Sequence, residues 1–132
     1  MRTTARSLAY LRKRPGVSHV GLVERWTPSG GNFKGGKRHD LFGFIDIVAL
    51  DDAPGILAVQ SCGTDFRPHL RKIEAEPAAS AWLRRGNRLE VHGWRKLKIG
   101  PKAVRWTPRI VVAQVTVSEG VAVGVTWTEC SS

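Results

Sequence analysis

The chain has 132 residues, long enough for one domain with a hydrophobic core and too short for two. Hydrophobic residues make up 42% and charged residues 24%, which excludes a wholly disordered protein. Lysine and arginine number 21 against 11 acidic residues, and the formal net charge of +10 predicts a polyanionic partner, in the first place nucleic acid. We therefore expect residues 1–132 to form a single nucleic-acid-binding domain.

Membrane, disulfide and zinc proteins are not indicated. No apolar segment is long enough to cross a bilayer and the N-terminus lacks the apolar region of a signal peptide, so we expect a cytoplasmic protein without a membrane partner. Cys62 and Cys130 lie far apart without a CxxC spacing, which argues against a disulfide scaffold or a structural zinc site. The four histidines are scattered singly, which favours surface positions or phosphate contacts over metal ligation.

A basic helix is predicted within residues 1–16. Thr3 or Thr4 can cap it, apolar residues recur at helical spacing, and Pro15-Gly16 ends it. Its other face carries five cations and no acid, namely Arg2, Arg6, Arg12, Lys13 and Arg14. This face predicts contacts to the DNA backbone, because Lys and Arg supply most non-specific affinity for DNA. The alternative is the solvated face of a core helix.

A strand is predicted at residues 17–25, because apolar residues alternate there. Val20 and Leu22 are expected to point inward, with Val23 as a third candidate. Glu24 lies at the end of the strand, where it is either a surface residue or a metal ligand.

Residues 26–39 are predicted as a loop because they are rich in glycine. The loop carries three cations, Lys34, Lys37 and Arg38. Since glycine lets the backbone approach a partner closely, we interpret the loop as a nucleic-acid contact, with a plain hairpin loop as the alternative. Asp40 follows, either as a metal ligand or as a turn residue.

Two short apolar runs, residues 43–50 and 56–59, are typical of paired strands. If their hairpin is centred near Ala53, Asp46 and Gln60 lie at mirror-related positions, seven residues to either side. Oxygen ligands on adjacent strands suit a hard cation such as Mg²⁺ or Mn²⁺. The alternative is a buried Asp46 that caps a neighbouring turn.

The strings FIDI at residues 44–47 and VQSC at residues 59–62 resemble the Asp…(Glu/Gln)-x-Lys pattern of the PD-(D/E)XK nuclease superfamily. Within it, residues 17–86 look most like archaeal-type Holliday junction resolvases and VRR-NUC domains. The resemblance implies a restriction-endonuclease-like fold and a catalytic metal site on Asp46 and Gln60. In such nucleases an acid often approaches the metal from the first helix; that helix has none here, so Glu24 is the expected substitute and Asp40 a possible third acid.

Two residues depart from the family pattern. Gln60 replaces the usual Glu, and Cys62 occupies the lysine position, where a thiol cannot act on an attacking water as an ammonium does. The resemblance implies that a nearby helix can supply this lysine. Lys72, on a helix predicted at residues 66–76, is the substitute candidate, ahead of Arg71 and His69; the alternative is a solvated charge.

The second half is predicted as a helix at residues 77–86, a strand at 88–94, a basic turn at 95–105 and a strand at 106–117. Trp94 and Trp106 either press on DNA together with basic side chains or pack in the core. Residues 110–132 hold no lysine or arginine and are predicted as neutral strands that turn at Glu119-Gly120. The DNA contacts expected from residues 66–109 are Arg71, Arg95, Lys96 and Lys98.

These elements predict an α/β fold, a single three-layer domain with a mixed central sheet flanked by helices. By resemblance, we expect a Mg²⁺- or Mn²⁺-dependent endonuclease that acts as a homodimer on branched DNA such as a Holliday junction. The alternative is a catalytically inactive, nuclease-like DNA-binding protein, which the missing lysine favours. An RNA-binding or ribonuclease module is a weaker alternative, since nothing in the sequence reads a 2′-hydroxyl.

Overall fold

The computed structural model describes residues 2–28 and 36–130. Within these residues the chain is an α/β fold with a mixed six-stranded sheet, a separate two-stranded ribbon and three helices. The helices are α1 (Thr3–Lys13), α2 (Phe66–Glu74) and α3 (Pro77–Arg84). The strands are β1 (His19–Leu22), β2 (Arg25–Pro28), β3 (Gly36–His39), β4 (Ile47–Leu50), β5 (Leu57–Cys62), β6 (Arg88–Gly100), β7 (Ala103–Ser118) and β8 (Val121–Glu129).

The main sheet has the strand order β1-β4-β5-β6-β7-β8, and β2 pairs with β3 in the ribbon. Strands β5 and β6 run parallel, and α2 and α3 form the connection between them. The other neighbours in the sheet run antiparallel. This arrangement confirms the predicted α/β class with a mixed sheet.

Strand β5 is buried along its whole length and contributes to a hydrophobic cluster on each of its faces. Leu57 and Val59 pack with Leu11 of α1. Ala58 and Cys62 belong to a second cluster, which includes residues of α2 and α3. Because successive residues of a strand point to opposite faces, this alternation explains why an unbroken apolar run is needed here.

A buried hydrogen-bond network joins α1 to β5 and β6. The indole N–H of Trp94 donates to Ser7 Oγ at 2.9 Å, and Ser7 Oγ lies 2.9 Å from Ser61 Oγ and 3.0 Å from His92 Nδ1. Nε2 of His92 lies 3.0 Å from Glu90 Oε1. Since a carboxylate can only accept, His92 donates there and accepts from Ser7. Burial lowers the pKa of His92, which favours this neutral form.

Arg14 completes this network by binding Glu90 through both guanidinium NH groups, at 2.9 and 2.8 Å. Burial opposes ionisation of Glu90, but hydrogen bonds from His92 and Arg14 outweigh it and lower the pKa of Glu90 to about 2. The guanidinium of Arg14 is thus directed at a partly buried carboxylate. Arg14 therefore has a structural partner that the sequence did not indicate, and its contact with DNA stays a prediction.

Several local predictions are corrected. Residue Arg2 occupies the N-cap position of α1 and makes no side-chain cap, although threonine was expected there. Leu22 is 51% exposed, whereas Val20 and Val23 each pack against one of the two core clusters. His92 is fully buried and not at the surface.

Two segments predicted to lack strands contain them. Residues 26–28 and 36–39 of this segment belong to β2 and β3, which pair with each other, and the predicted loop between them lies outside the described residues. Residues 95–105 are not a basic turn, since β6 and β7 remain paired as far as Gly100 and Ala103. The predicted turn at Glu119-Gly120 is confirmed, and both of its residues have positive φ, 52° and 77°. The described chain contains no helix that is both long and apolar enough to cross a membrane.

Candidate functional site

The hairpin of β4 and β5 brings Asp46 and Gln60 together. Ile47 faces Val59, and the amide N–H of Asp46 donates to the carbonyl of Val59 at 3.0 Å, so that the next pair is Asp46 and Gln60. Asp46 is fully buried, and its Oδ2 accepts from Gln60 Nε2 at 2.9 Å and from the amide N–H of Ser61 at 2.8 Å. The predicted mirror relation of these two residues is thus observed. Gln60 acts here as a donor that orients the carboxylate.

The ribbon of β2 and β3 brings a second pair together in the same way. Arg25 faces His39 in this ribbon. Glu24 immediately precedes one strand and Asp40 immediately follows the other, so that the two acids occupy the next opposed positions. The first hairpin therefore presents Asp46 beside Gln60, and the second presents the two acids Glu24 and Asp40.

Pairing between β1 and β4 places the two hairpins side by side. The amide N–H of Val23 donates to the carbonyl of Asp46 at 2.9 Å, which extends the β1–β4 ladder to the residue next to Glu24. As a result, ligand oxygens of Glu24, Asp40 and Asp46 all lie within 4.8 Å of one another. The structure brings together the three carboxylates that the sequence offered as alternatives.

The chemistry of this carboxylate cluster, defined as Glu24, Asp40 and Asp46, fits a hard divalent cation. Carboxylate oxygens are the ligands that Mg²⁺ and Mn²⁺ prefer. Oxygens bound to one Mg²⁺ at about 2.1 Å lie roughly 3–4 Å apart, so small side-chain adjustments from the present spacing suffice. Each of the three carboxylates has one oxygen shielded from solvent. A cation shared between them would interact strongly with these oxygens, because little water lies there to screen the interaction.

A guanidinium also lies near the cluster. Arg2, at the start of α1, has its NH2 group 3.8 Å from Glu24 Oε1. Arg2 is largely exposed, with a side chain 65% accessible, while that of Glu24 is 4% accessible. Sequence reasoning assigned Arg2 only to the basic face of the helix. Its position next to the acids makes it a second candidate for the positive charge that a phosphate would meet.

Cys62 cannot supply that charge. It is 3% exposed, and burial, together with the negative charges of Asp65 and Asp46, raises the pKa of its thiol to about 12. Its sulfur lies within 4.8 Å of ligand atoms of Asp65 and His69. Those two residues make local contacts at the start of α2, where Asp65 Oδ1 accepts from the amide N–H of Gly63 at 3.2 Å and His69 Nδ1 lies 2.8 Å from the carbonyl of Asp65. We therefore attribute this second group to the turn that begins the helix.

The substitute lysine lies elsewhere on α2. Lys72 and Arg71 are exposed, in the last turn of the helix, whereas Phe66 and Ile73 form its buried side. To act at the carboxylate cluster, Lys72 would have to extend its side chain from the exposed side of α2 toward β5. The role of Lys72 stays a prediction.

The predicted DNA contacts fall into several groups. Arg12 and Lys13 are exposed near the end of α1, and Arg6 lies on the same helix with its guanidinium 3.8 Å from the ring centroid of Trp106. Arg95, Lys96 and Lys98 are exposed on β6. Lys34 lies outside the described residues. For Lys37 and Arg38 the structure describes the backbone of β3 and not the side chains.

The two tryptophans have different environments. Trp94 is 6% exposed and donates to Ser7, so it belongs to the core. Trp106 is 40% exposed and lies between Arg6 and the ammonium of Lys96, which is 5.2 Å from its ring. Of the two alternatives given by the sequence, core packing holds for Trp94 and a basic aromatic surface for Trp106.

Comparison with protein-family models, with curated proteins and with solved structures finds no match to this chain. The arrangement of the carboxylate cluster and of the basic surfaces therefore has to be interpreted from the chemistry of the residues themselves.

Proposed function

We propose that this protein is a metal-dependent nuclease that cleaves phosphodiester bonds of DNA. One observation supports this most strongly: Glu24, Asp40 and Asp46 converge within 4.8 Å in a chain with a formal net charge of +10. A local cluster of negative charge within a basic protein suits a cation that is shared between carboxylates and a phosphate. The resemblance of residues 44–47 and 59–62 to the PD-(D/E)XK pattern favours the same activity. Under this proposal the fold is the three-layer, restriction-endonuclease-like one.

The residues of the site fall into two groups, those that would bind the metal and those that orient a metal ligand. Glu24, Asp40 and Asp46 would hold Mg²⁺ or Mn²⁺, while Gln60 and the amide of Ser61 fix the orientation of Asp46 through its Oδ2. A divalent cation held by these carboxylates would supply Lewis-acid chemistry, which polarises a phosphate and lowers the pKa of a water. The buried position of Asp46 excludes water from that carboxylate, which strengthens its interaction with a cation.

A positive charge beside the phosphate is also required, because negative charge develops there in the transition state. Lys72 is the candidate that the family resemblance suggests, and Arg2 is the candidate that its 3.8 Å distance from Glu24 suggests. By the same resemblance, the substrate is branched DNA such as a Holliday junction. Cleavage of two symmetric strands would then involve a homodimer.

The second candidate function is DNA binding without cleavage. The observation that favours it is the neutral, buried thiol of Cys62 at the position where related nucleases carry lysine. In that case the carboxylate cluster is a cation site that supports binding and the basic surfaces carry the affinity.

The first experiment compares wild type with Asp46→Asn. Cleavage of a labelled four-way junction and of a linear duplex is measured in Mg²⁺, Mn²⁺ and EDTA, and Mn²⁺ affinity by calorimetry. We expect metal-dependent cleavage by wild type, and in Asp46→Asn a Mn²⁺ affinity weaker by about a hundredfold with DNA affinity kept or raised. Asp52→Asn, which removes an exposed acid from the turn between β4 and β5, is the control and should behave as wild type. Equal Mn²⁺ affinity in wild type and Asp46→Asn would refute the metal site.

A second experiment identifies the positively charged side chain beside the phosphate and separates cleavage from DNA binding without cleavage. Lys72→Ala and Arg2→Ala are assayed beside Cys62→Lys in the same cleavage reaction. The residue that supplies the charge should cost about a hundredfold in rate when removed, with little change in duplex affinity. Unchanged cleavage in Lys72→Ala rejects Lys72. A wild type that is inert while Cys62→Lys cleaves would show that DNA binding without cleavage is the function.

A further inference from the structure

Strands β6 and β7 continue beyond the rest of the sheet as a two-stranded arm, residues 95–107. Gly93 is the last β6 residue that pairs with β5, through Cys62, and β8 pairs with β7 only from Val111 onward. Between these points the pairs run from Trp94 with Pro108 to Gly100 with Ala103, and the described strands provide no further neighbour for them. At about 3.3 Å per residue, the seven residues beyond Gly93 extend roughly 20 Å from the sheet.

Both faces of the arm are cationic. Lys96 lies opposite Trp106 and Lys98 opposite Val104, so these four side chains share one face. The other face carries Arg95, Leu97 and Arg105, since Leu97 lies opposite Arg105 and Arg95 opposite Thr107. No acidic residue occurs between residues 91 and 118. The apolar side chains are exposed as well: Leu97 is 38%, Ile99 57% and Val104 59% accessible.

The arm leaves the sheet at the same end of the strands as the carboxylate cluster. Because β5 and β6 are parallel, with Gln60 opposite Val91 and Cys62 opposite Gly93, the C-terminal end of β5 lies beside the point where β6 continues into the arm. Gln60 and Ser61 contact Asp46 at that end of β5. From there β6 continues into the arm. A DNA segment held by the arm is therefore brought to the side of the molecule where the acids converge.

Contacts with α1 fix the direction of the arm at its root. Arg6 stacks on Trp106, and Trp94, the residue before the arm, is hydrogen-bonded to Ser7. Arg6, Lys13, Trp94 and Trp106 also line an open groove of about 300 Å³ between α1 and the arm. The arm is thus supported by side-chain contacts to a helix and does not rest on the turn at its tip alone.

We propose that the arm inserts into the major groove of duplex DNA next to the carboxylate cluster. This inference rests on the proposed function and specifies how its DNA is held. In undeformed B-DNA the major groove is about 12 Å wide and admits a two-stranded ribbon, whereas the minor groove, at about 6 Å, is narrower than a ribbon. A ribbon inside a groove has a row of phosphates on each side, so cations on both of its faces are neutralised, while a ribbon lying flat on the duplex uses one face. The exposed Leu97 and Ile99 suit contact with thymine methyl groups at the groove floor.

The first test blocks one groove. Binding is measured with a duplex that carries glucosylated 5-hydroxymethylcytosine, which fills the major groove, and with the same duplex unmodified or saturated with netropsin in its minor groove. The wild type should lose about tenfold or more in affinity on the glucosylated duplex and little with netropsin. A variant in which residues 97–105 are replaced by Asn-Gly keeps a two-residue hairpin between Lys96 and Trp106 and should bind both duplexes equally and weakly.

The second test uses point variants with matched charge. Lys96→Gln/Lys98→Gln removes two cations from the arm, and Arg84→Gln/Arg85→Gln removes two exposed cations at the end of α3, next to the start of β6. The slope of log K against log salt is negative, and in the first variant it should become shallower by about 1.8, at about 0.9 per phosphate contact. The second should leave the slope unchanged.

The outcomes distinguish the arm from the proposed function. Glucosylation without effect on the wild type, or equal slopes for the two double variants, would overturn the insertion of the arm even if Mn²⁺ binding and cleavage persist. Absence of DNA binding at low salt would overturn both proposals. Retained Mn²⁺ affinity in the shortened variant shows that the carboxylate cluster is folded, so that a loss of DNA affinity there is assigned to the arm.

Discussion

The buried Glu90 and the carboxylate cluster, in which Asp46 is buried and Glu24 and Asp40 are partly buried, have different surroundings. Glu90 is enclosed by the fork of Arg14 and the imidazole of His92, and these hydrogen bonds lower its pKa to about 2 despite burial. In the carboxylate cluster, ligand oxygens of three acids lie within 4.8 Å of one another, and the guanidinium of Arg2 lies 3.8 Å from Glu24. The first arrangement joins α1 to the sheet. The second resembles a site whose charge is matched by a bound cation, at a cost in stability when that cation is absent.

The largest expected effect is on the Glu90 network. Arg14→Met keeps the apolar stem and removes the fork, which leaves the carboxylate of Glu90 buried beside His92 alone. We expect the free energy of unfolding to fall by about 4 kcal/mol. Denaturant unfolding monitored by tryptophan fluorescence measures this.

A matched ion pair at the surface provides the control. Arg109 Nε lies 2.8 Å from Glu129 Oε1, but Glu129 has a side chain 55% exposed. Glu129→Gln should leave the unfolding midpoint unchanged within error. If Arg14→Met has as little effect as Glu129→Gln, the Glu90 network does not stabilise the fold.

The second effect is the acid dependence of stability. Because the folded-state pKa of Glu90, about 2, lies below its usual value of 4.5, its contribution is complete above pH 4.5 and is lost as the pH falls toward 2. The shift corresponds to about 3 kcal/mol. His92 acts in the same direction at higher pH, since its lowered pKa means that the unfolded chain binds the proton first.

The measurement compares wild type with Glu90→Gln between pH 5 and pH 2.5. The unfolding free energy of the wild type should decline more steeply than that of the variant, and the two should converge at the acidic end. Parallel curves over this range would contradict a depressed pKa for Glu90.

The smallest effect has the opposite sign. In metal-free protein, Asp46→Asn removes a buried carboxylate whose ligand oxygen lies within 4.8 Å of those of Glu24 and Asp40, while an amide oxygen can still accept from Gln60 and Ser61. We expect the free energy of unfolding to rise by about 1 kcal/mol. Wild type should gain about 2.7 kcal/mol from Mn²⁺ at a hundred times its dissociation constant, and Asp46→Asn, which binds about a hundredfold more weakly, should gain only about 0.4 kcal/mol at the same Mn²⁺ concentration. If this substitution destabilised the metal-free protein, Asp46 would be a residue that stabilises the fold, as Glu90 is.

Local pairing explains which parts of the site could be predicted. Asp46 and Gln60 lie at equal distances from the centre of a short hairpin, so their opposition follows from sequence spacing. Glu24 and Asp40 were predicted one by one. Their opposition across β2 and β3 could have been read from their equal spacing about Asn32, had the ends of the glycine-rich segment been recognised as strands.

Other parts depend on contacts that no local pattern records. The surroundings of His92 come from Ser7 and Arg14, which lie 85 and 78 residues earlier in the chain, so its burial could not be predicted. The arm was missed because Gly100-Pro101 and the many cations indicated a turn. Two features of the sequence indicate strands in the arm. Leu97 and Ile99 alternate with lysine, and the β-branched Val104 follows, which lies opposite Lys98 in the structure.

The long-range contacts of α1 also bear on the order in which the protein folds. The acids and Gln60 come from within residues 24–60, and the hairpins that position them close short loops. Ser7, by contrast, meets Ser61 and His92 at separations of 54 and 85 residues. Because contacts between distant residues form late and slow folding, we expect the carboxylates to converge before α1 docks on the sheet. In stopped-flow refolding, Mn²⁺ should then accelerate folding itself and not only retard unfolding, as any interaction already present in the transition state does.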